Sequence, residues 1–147
     1  MDLVGNLLEA VKMTKLNDAT AAGVTTINSA VVDMAGFDGV VFLTNAGTIV
    51  ATGTAAIKVQ QDTVVGLGSA ADLAGSGQSF IDTDDNKSVA VDVKRPTKRY
   101  LRLVITRATA NSDWGPIWAF QYRARKAPVT QGLDKYETFA SPAEGVA

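Results

Sequence analysis

Apolar residues along this chain come in short runs that alternate with polar ones and are cut every few residues by Gly, Asn or Asp. A period of two broken by turn formers predicts strands, not helices. In Ser88–Lys94, Val89, Val91 and Val93 share one face, with Ala90, Asp92 and Lys94 on the other. In Arg99–Arg107, Leu101, Leu103 and Ile105 point inward, with Tyr100, Arg102, Val104 and Thr106 outward. Pro96-Thr97-Lys98 supplies a turn, so these two strands are expected to form a hairpin. Further strands are predicted over Val24–Met34, Gly39–Thr44, Thr48–Thr52, Ala55–Gln61, Ser79–Ile81 and Ile117–Arg125. About eight short antiparallel strands make the fold class all-β, a sandwich or jelly roll.

Val40-Val41-Phe42-Leu43 is apolar on both faces and reads as a central strand entered from the turn Gly36-Phe37-Asp38-Gly39. Asn45-Ala46-Gly47 is expected to close it into a hairpin. In Ile117–Arg125, Trp118, Phe120 and Tyr122 share a face and are expected to fill the core, leaving Arg123 and Arg125 outside. Gly66 to Gly77, with Gly at 66, 68, 75 and 77, reads as a long surface loop with little packing of its own. The first residues mix two patterns. Leu3, Leu7, Leu8 and Val11 match helical spacing, whereas Val11–Leu16 alternates as a strand, and an extended arm with one short strand is expected. After Pro128 the periodicity disappears. The organisation predicted is an N-terminal arm over 1–16, a β domain over 17–126 and a C-terminal arm over 127–147.

Charge changes the picture more than composition does. The formal net charge is -1, yet residues 1–93 hold four lysines against eleven carboxylates, and Lys94–Lys126 carries nine Lys/Arg against Asp113 alone. An acidic body with one basic segment can attract an acidic partner without being a general nucleic-acid binder. The chain has no Cys and no His, which removes disulfides, thiolate sites, the commonest zinc ligands and Ser-His or Cys-His pairs. The acidic opening Met1-Asp2-Leu3-Val4-Gly5-Asn6 lacks the basic and apolar regions of a secretory signal, and no apolar run approaches the ~18 residues of a membrane span. A soluble protein made in a cytoplasm is expected, with no membrane association and no cofactor.

Several short motifs invite chemistry. Asp82-Thr83-Asp84-Asp85-Asn86 places oxygen ligands at alternate positions like the start of an EF-hand loop, but Lys87 stands where Gly is needed and Val93 where Glu is needed. It reads as a solvated turn. The Gly66-x-Gly68 and Gly75-x-Gly77 pairs lack the strand-to-helix setting of a phosphate cradle. Acids such as Asp38, Asp62 and Asp113 have turn-forming neighbours and read as turn residues, not as a paired general acid and base. Trp114, beside Asp113 and Gly115-Pro116, reads as a loop aromatic freer than the other three.

The basic cluster is the candidate functional feature, and its residues are Arg99, Arg102, Arg123, Arg125 and Lys126. Interleaved with Tyr100 and Tyr122 they approximate a nucleic-acid surface, and the pI of about 5.3 argues against that use. Pairing with an acidic neighbour, another copy or a larger assembly, accounts for them together with the acidic body. In the tail, Leu133, Tyr136, Phe139 and Val146 are too apolar for a solvating segment and too irregular for one amphipathic element. Tyr136 and Phe139 are therefore expected to be interface anchors.

Three segments carry a resemblance: Val32-Asp33-Met34-Ala35-Gly36-Phe37-Asp38-Gly39-Val40-Val41-Phe42, Lys94-Arg95-Pro96-Thr97-Lys98-Arg99-Tyr100-Leu101-Arg102 and Ser141-Pro142-Ala143-Glu144-Gly145. From about Asn28 to the C-terminus the chain resembles capsid decoration or cement proteins of tailed bacteriophages. That resemblance implies a β-sandwich or jelly roll, a dimer or trimer on the outer capsid surface of the virion, and a non-enzymatic role in bracing the major capsid protein. It implies no ligand residues. The competing functions are a phage tail or head-fibre component, a carbohydrate-binding β-sandwich, and a small hydrolase. An exposed Trp or Tyr platform would favour sugar binding, and buried paired carboxylates in a cleft would favour an enzyme.

Overall fold

A computed structural model describes residues 6–147. The β-forming pattern is realised as two antiparallel sheets, with one helical turn, α1 (Leu7–Ala10), and a 3-10 turn at Asp82–Asp84. The strands are β1 (Lys12–Asn17), β2 (Thr20–Gly23), β3 (Ile27–Asn28), β4 (Val32–Asp33), β5 (Gly39–Ile49), β6 (Thr54–Asp62), β7 (Ala71–Asp72), β8 (Gln78–Ile81), β9 (Ser88–Lys94), β10 (Tyr100–Ala108), β11 (Ser112–Trp114) and β12 (Ile117–Tyr122).

Several of these segments lie end to end in one lane. In the first sheet β9 and β12 flank β5, β11 continues the lane of β12 along β5, and β1 and β2 follow one another along β12 and β11. In the second sheet β10 pairs with β6 over Tyr100–Ala108, β3 and β4 share the far side of β10, and β8 and β7 share the far side of β6. Along the chain the lanes fall in the first, second, first, second, second, first, second and first sheet. Almost every connection therefore crosses from one sheet to the other.

The inner faces meet in one core. Val40, Phe42, Ala46 and Ile49 of β5 pack with Ile57 and Val59 of β6 and with Leu101, Leu103 and Ile105 of β10, all of them buried. The expected inward set of β10 is thus in place, and the apolar run Val40–Leu43 is central, with β9 on one side and β12 on the other. Val104, expected outward, is buried too, flanked in register by Asn28 and Lys58.

Four expectations are corrected. The hairpin of Ser88–Lys94 with Arg99–Arg107 does not form, because β9 pairs with β5 in one sheet and β10 with β6 in the other. No turn occurs at Asn45-Ala46-Gly47, where β5 runs straight through. The small residues there serve a neighbour: a Cβ on Gly47 would stand 2.4 Å from the Asp113 carboxylate, which accepts from Thr48 N at 2.7 Å. Trp114 is not a loop aromatic but 2% exposed, packed edge-to-face on Phe80 with centroids 5.0 Å apart. Finally, Trp118, Phe120 and Tyr122 point away from the core, and Ile117, Ala119 and Gln121 point into it. The cross-strand pairs explain that register. Small Ala119 lies opposite Phe42 on the crowded inner face, while Trp118 and Phe120 lie opposite Leu43 and Val41 outside.

The Gly66–Gly77 loop is better anchored than expected. Leu67 is buried, and the Ser76 hydroxyl, also buried, accepts from Val59 N at 3.0 Å. The expected strand Val24–Met34 is split into β3 and β4 around Ser29, whose hydroxyl accepts from Leu103 N at 2.9 Å. Of the N-terminal arm, Lys12–Asn17 is a strand of the chain's own sheet, and the helical spacing that begins at Leu3 lies partly outside the described residues. The tail then runs beside β1. Val129 N donates to Glu9 O, and Gln131 accepts from Met13 N at 2.9 Å while donating to Leu8 O and Val11 O.

Candidate functional site

The basic residues gather where the strands end, not on a hairpin face. Three turns meet at this end: Met34–Asp38 between β4 and β5, Arg95–Arg99 between β9 and β10, and Arg123–Pro128 after β12. Backbone bonds lock them together, with Asp38 N donating to Tyr122 O, Arg95 N to Asp38 O at 2.7 Å and Arg125 N to Gly36 O at 2.9 Å. Gly36 takes a φ of 86°, a left-handed conformation that costs a glycine nothing. The opposite end holds acids. There Asp82, Asp85 and Asp113 accept from Thr52 N, Ile49 N and Thr48 N, and Asp84 from Ile81 N and Lys87 Nζ. The molecule is polarised along its strands.

Arg99 forms a two-pronged pair with Asp33, at 2.8 and 2.9 Å, and its guanidinium lies 5.2 Å from the Tyr100 ring centroid. Hydrogen bonding from Arg99 holds the Asp33 carboxyl below its ordinary range, against an opposing effect of burial. Arg125 reaches Asp38 at 3.4 Å. Arg123 is exposed with φ 54°, and Lys126 is exposed beside it. Arg102 stands apart from this group. It lies on the outer face of β10, where Nε and Nη2 both donate to Gln60 Oε1 of β6. So Arg99, Arg123, Arg125 and Lys126 come to one end of the molecule, and Arg102 belongs to a sheet face. Tyr136 and Phe139 are 54% and 63% exposed on the tail.

Two shallow grooves cut the basic end. One, of about 400 Å³, is lined by Lys12, Phe37, Arg125, Lys126, Pro128 and Val129. The other, of about 230 Å³, shares Gly36, Phe37 and Arg125 and adds Pro96, Lys98 and Arg99. Lys12 escaped the sequence reading because it is remote in sequence from the basic segment, although its pairing with Gln121 puts it at the start of β1.

A third groove, of about 320 Å³, lies on the outer face of the first sheet, with Trp118 beside Lys15, Leu133, Asp134 and Lys135. On the same face the Tyr122 hydroxyl donates to Asp92 Oδ1. Burial first, then that bond, push the Tyr122 pKa up to about 12. Among the described residues no group of three or more Asp, Glu, His or Cys is placed to hold a metal ion, and no helix is long and apolar enough to cross a membrane. In the Asp82–Asn86 turn the carboxylates are engaged by backbone N–H groups and Lys87.

Neither a protein-family model nor a curated protein matches this chain.

Proposed function

We propose that the two sheets wind as a jelly roll and that the chain is a non-enzymatic virion component of a tailed bacteriophage, decorating the outer capsid surface and bridging neighbouring capsid subunits. The observation that carries this proposal is the lane order. Read across, the first sheet runs β9, β5, β11/β12, β1/β2 and the second β3/β4, β10, β6, β8/β7, and consecutive lanes alternate between sheets except from β6 to β7/β8. Double-sheet winding of this kind is shared by viral capsid and lectin domains. The polarised charge and the exposed tail are in keeping with it. A basic end steers the module onto an acidic surface in one orientation, and an extended tail from Leu133 onward can span about 50 Å. Self-association, as a dimer or trimer, would multiply modest contacts on a lattice.

Co-expression with the major capsid protein encoded by the same genome, followed by gradient sedimentation, tests the proposal. The chain is expected to travel with the shells and to be released by salt. A chain that stays at the top of the gradient while shells sediment refutes shell binding.

One observation favours a second reading as a carbohydrate-binding module. Trp118 lies on the outer face in a groove rimmed by Lys15, Asp134 and Lys135, an aromatic floor with polar groups at its edge. Binding on a glycan array that is lost in Trp118→Ala would select this reading over the shell one.

A further inference from the structure

The larger groove at the basic end combines an apolar floor with a cationic rim. Phe37, Pro128 and Val129 supply the floor, and Lys12, Arg125 and Lys126 the rim. Two cations at this end have carboxylates close by, Arg99 with Asp33 and Arg125 with Asp38. Among the described residues Lys12, Lys98 and Lys126 form no ion pair within 4.0 Å. The three cations of the rim thus face the carboxylates of Asp38 and, at longer range, Asp33, a local excess of positive charge.

The chain itself carries a segment with the complementary properties. From residue 127 onward Asp134, Glu137 and Glu144 outnumber Lys135, and Tyr136 and Phe139 flank Glu137 with both rings largely in solvent. Two aromatics around a carboxylate match an apolar floor with a cationic rim in both shape of contact and sign of charge.

Within one molecule the tail leads away from this groove. Pro128 and Val129 form part of its wall, Val129 N is bonded to Glu9 O, Gln131 is tied along β1, and Leu133 already lies beside Trp118. We propose that the groove of each molecule receives the Tyr136–Phe139 segment of a second copy. The contact is heterologous, tail to groove, so copies join head to tail into a closed ring or an open chain. It goes beyond the shell proposal and does not depend on it, since it concerns the purified protein alone.

Analytical ultracentrifugation of the purified full chain tests this contact, with circular dichroism confirming that each variant stays folded. At low salt the intact chain is expected to associate, and at about 1 M salt, where the screening length falls to about 3 Å, to dissociate largely. Tyr136→Ser with Phe139→Ser removes the anchors, and Arg125→Glu with Lys126→Glu reverses the rim. All four side chains are exposed, and each double variant should raise the dissociation constant by about tenfold or more. An equimolar mixture of the two variants should regain association as a one-to-one heterodimer, because one retains the groove and the other the tail. An intact chain that is monomeric at low salt, variants that associate as the intact chain does, or a mixture that forms no heterodimer would each overturn the proposal.

Discussion

Arg107 is the buried cation on which the junction between the two sheets depends. It follows Leu101, Leu103 and Ile105 on the inner face of β10 and is 5% exposed, with burial lowering its pKa and no carboxylate among its hydrogen-bond partners. Its guanidinium, in the second sheet, donates to Thr25 O at 2.7 Å, Ala21 O at 2.9 Å, Ser112 O and Thr25 Oγ1, so it ties β2 and β11 of the first sheet to the turn before β3. Arg107→Met keeps the aliphatic bulk and removes these donors. Ser112 is fully buried, so its carbonyl would be stranded at about 1–3 kcal/mol, whereas Ala21 and Thr25 are exposed and regain part of their loss from water. Relief of the cation's desolvation offsets some of this. The net destabilisation expected is about 3 kcal/mol, or a Tm lowered by about 6–12 °C for a domain of this size. Urea denaturation followed by tryptophan fluorescence measures it, Trp114 being a core reporter next to Ser112. Arg107→Lys should lose nearly as much, because one ammonium cannot reproduce the fork. If Arg107→Met lies within about 0.5 kcal/mol of the parent, or Lys restores full stability, the network is not holding the sheets together.

Other outcomes can be checked with simpler measurements. Tyr122, whose pKa is raised from 10.0 to about 12, contributes stability that is present below pH 10 and is lost as pH climbs toward 12; Tyr122→Phe should flatten alkaline unfolding over that window, and an unchanged profile would count against the Asp92 contact. Asp62 accepts from Thr63 N, Val64 N and Ser69 N and closes the loop that exposes Val64 and Val65, so Asp62→Ala should speed proteolytic cleavage between residues 63 and 69 while leaving the core spectrum unchanged. The backbone bond from Ser69 is the largest cause of its lowered pKa, so this loop should also loosen as pH falls below the ordinary value of 3.8; hydrogen exchange at Ser69 that is indifferent to acid would contradict the role.

The fold was most legible where burial on one face was strict. Ser88–Lys94 forms over the predicted residues, Ala55–Gln61 and Arg99–Arg107 differ from β6 and β10 by about a residue at each end, and Leu101, Leu103 and Ile105 are all inward. Parity could have been carried further. Two residues beyond Ile105 lies Arg107, and continuing the alternation would have exposed the buried cation. The aromatic strand is misleading because large side chains usually mark a core face, whereas here the inner layer opposite Ala119 is already filled by Phe42. Gly47 misled for a related reason, as a glycine that makes room for the Asp113 carboxylate is indistinguishable in sequence from one that makes a turn. The charge segregation grouped residues that, Arg102 apart, do gather at one end of the molecule, but it placed them on a hairpin that does not form. Arg125 lines one groove with Arg99 because the turns after β12, between β9 and β10 and before β5 meet at one end of the two sheets, a long-range arrangement that no local pattern encodes.

The way the lanes are assembled bears on how such a chain survives being concentrated. An open β edge is a template for uncontrolled strand addition. On the second sheet both borders are made of short pieces, β3 with β4 and β7 with β8, which offer a passing strand no continuous ladder. The β1 border is overlaid by the chain's own residues 129–133, with the Gln131 side chain occupying Met13 N–H. Among the described strands that leaves β9 as the one long uncovered margin, and its outward positions include Asp92 and Lys94, charges of the kind that discourage edge-to-edge growth. Neutralising those two positions is thus expected to make this margin more open to strand addition from another molecule.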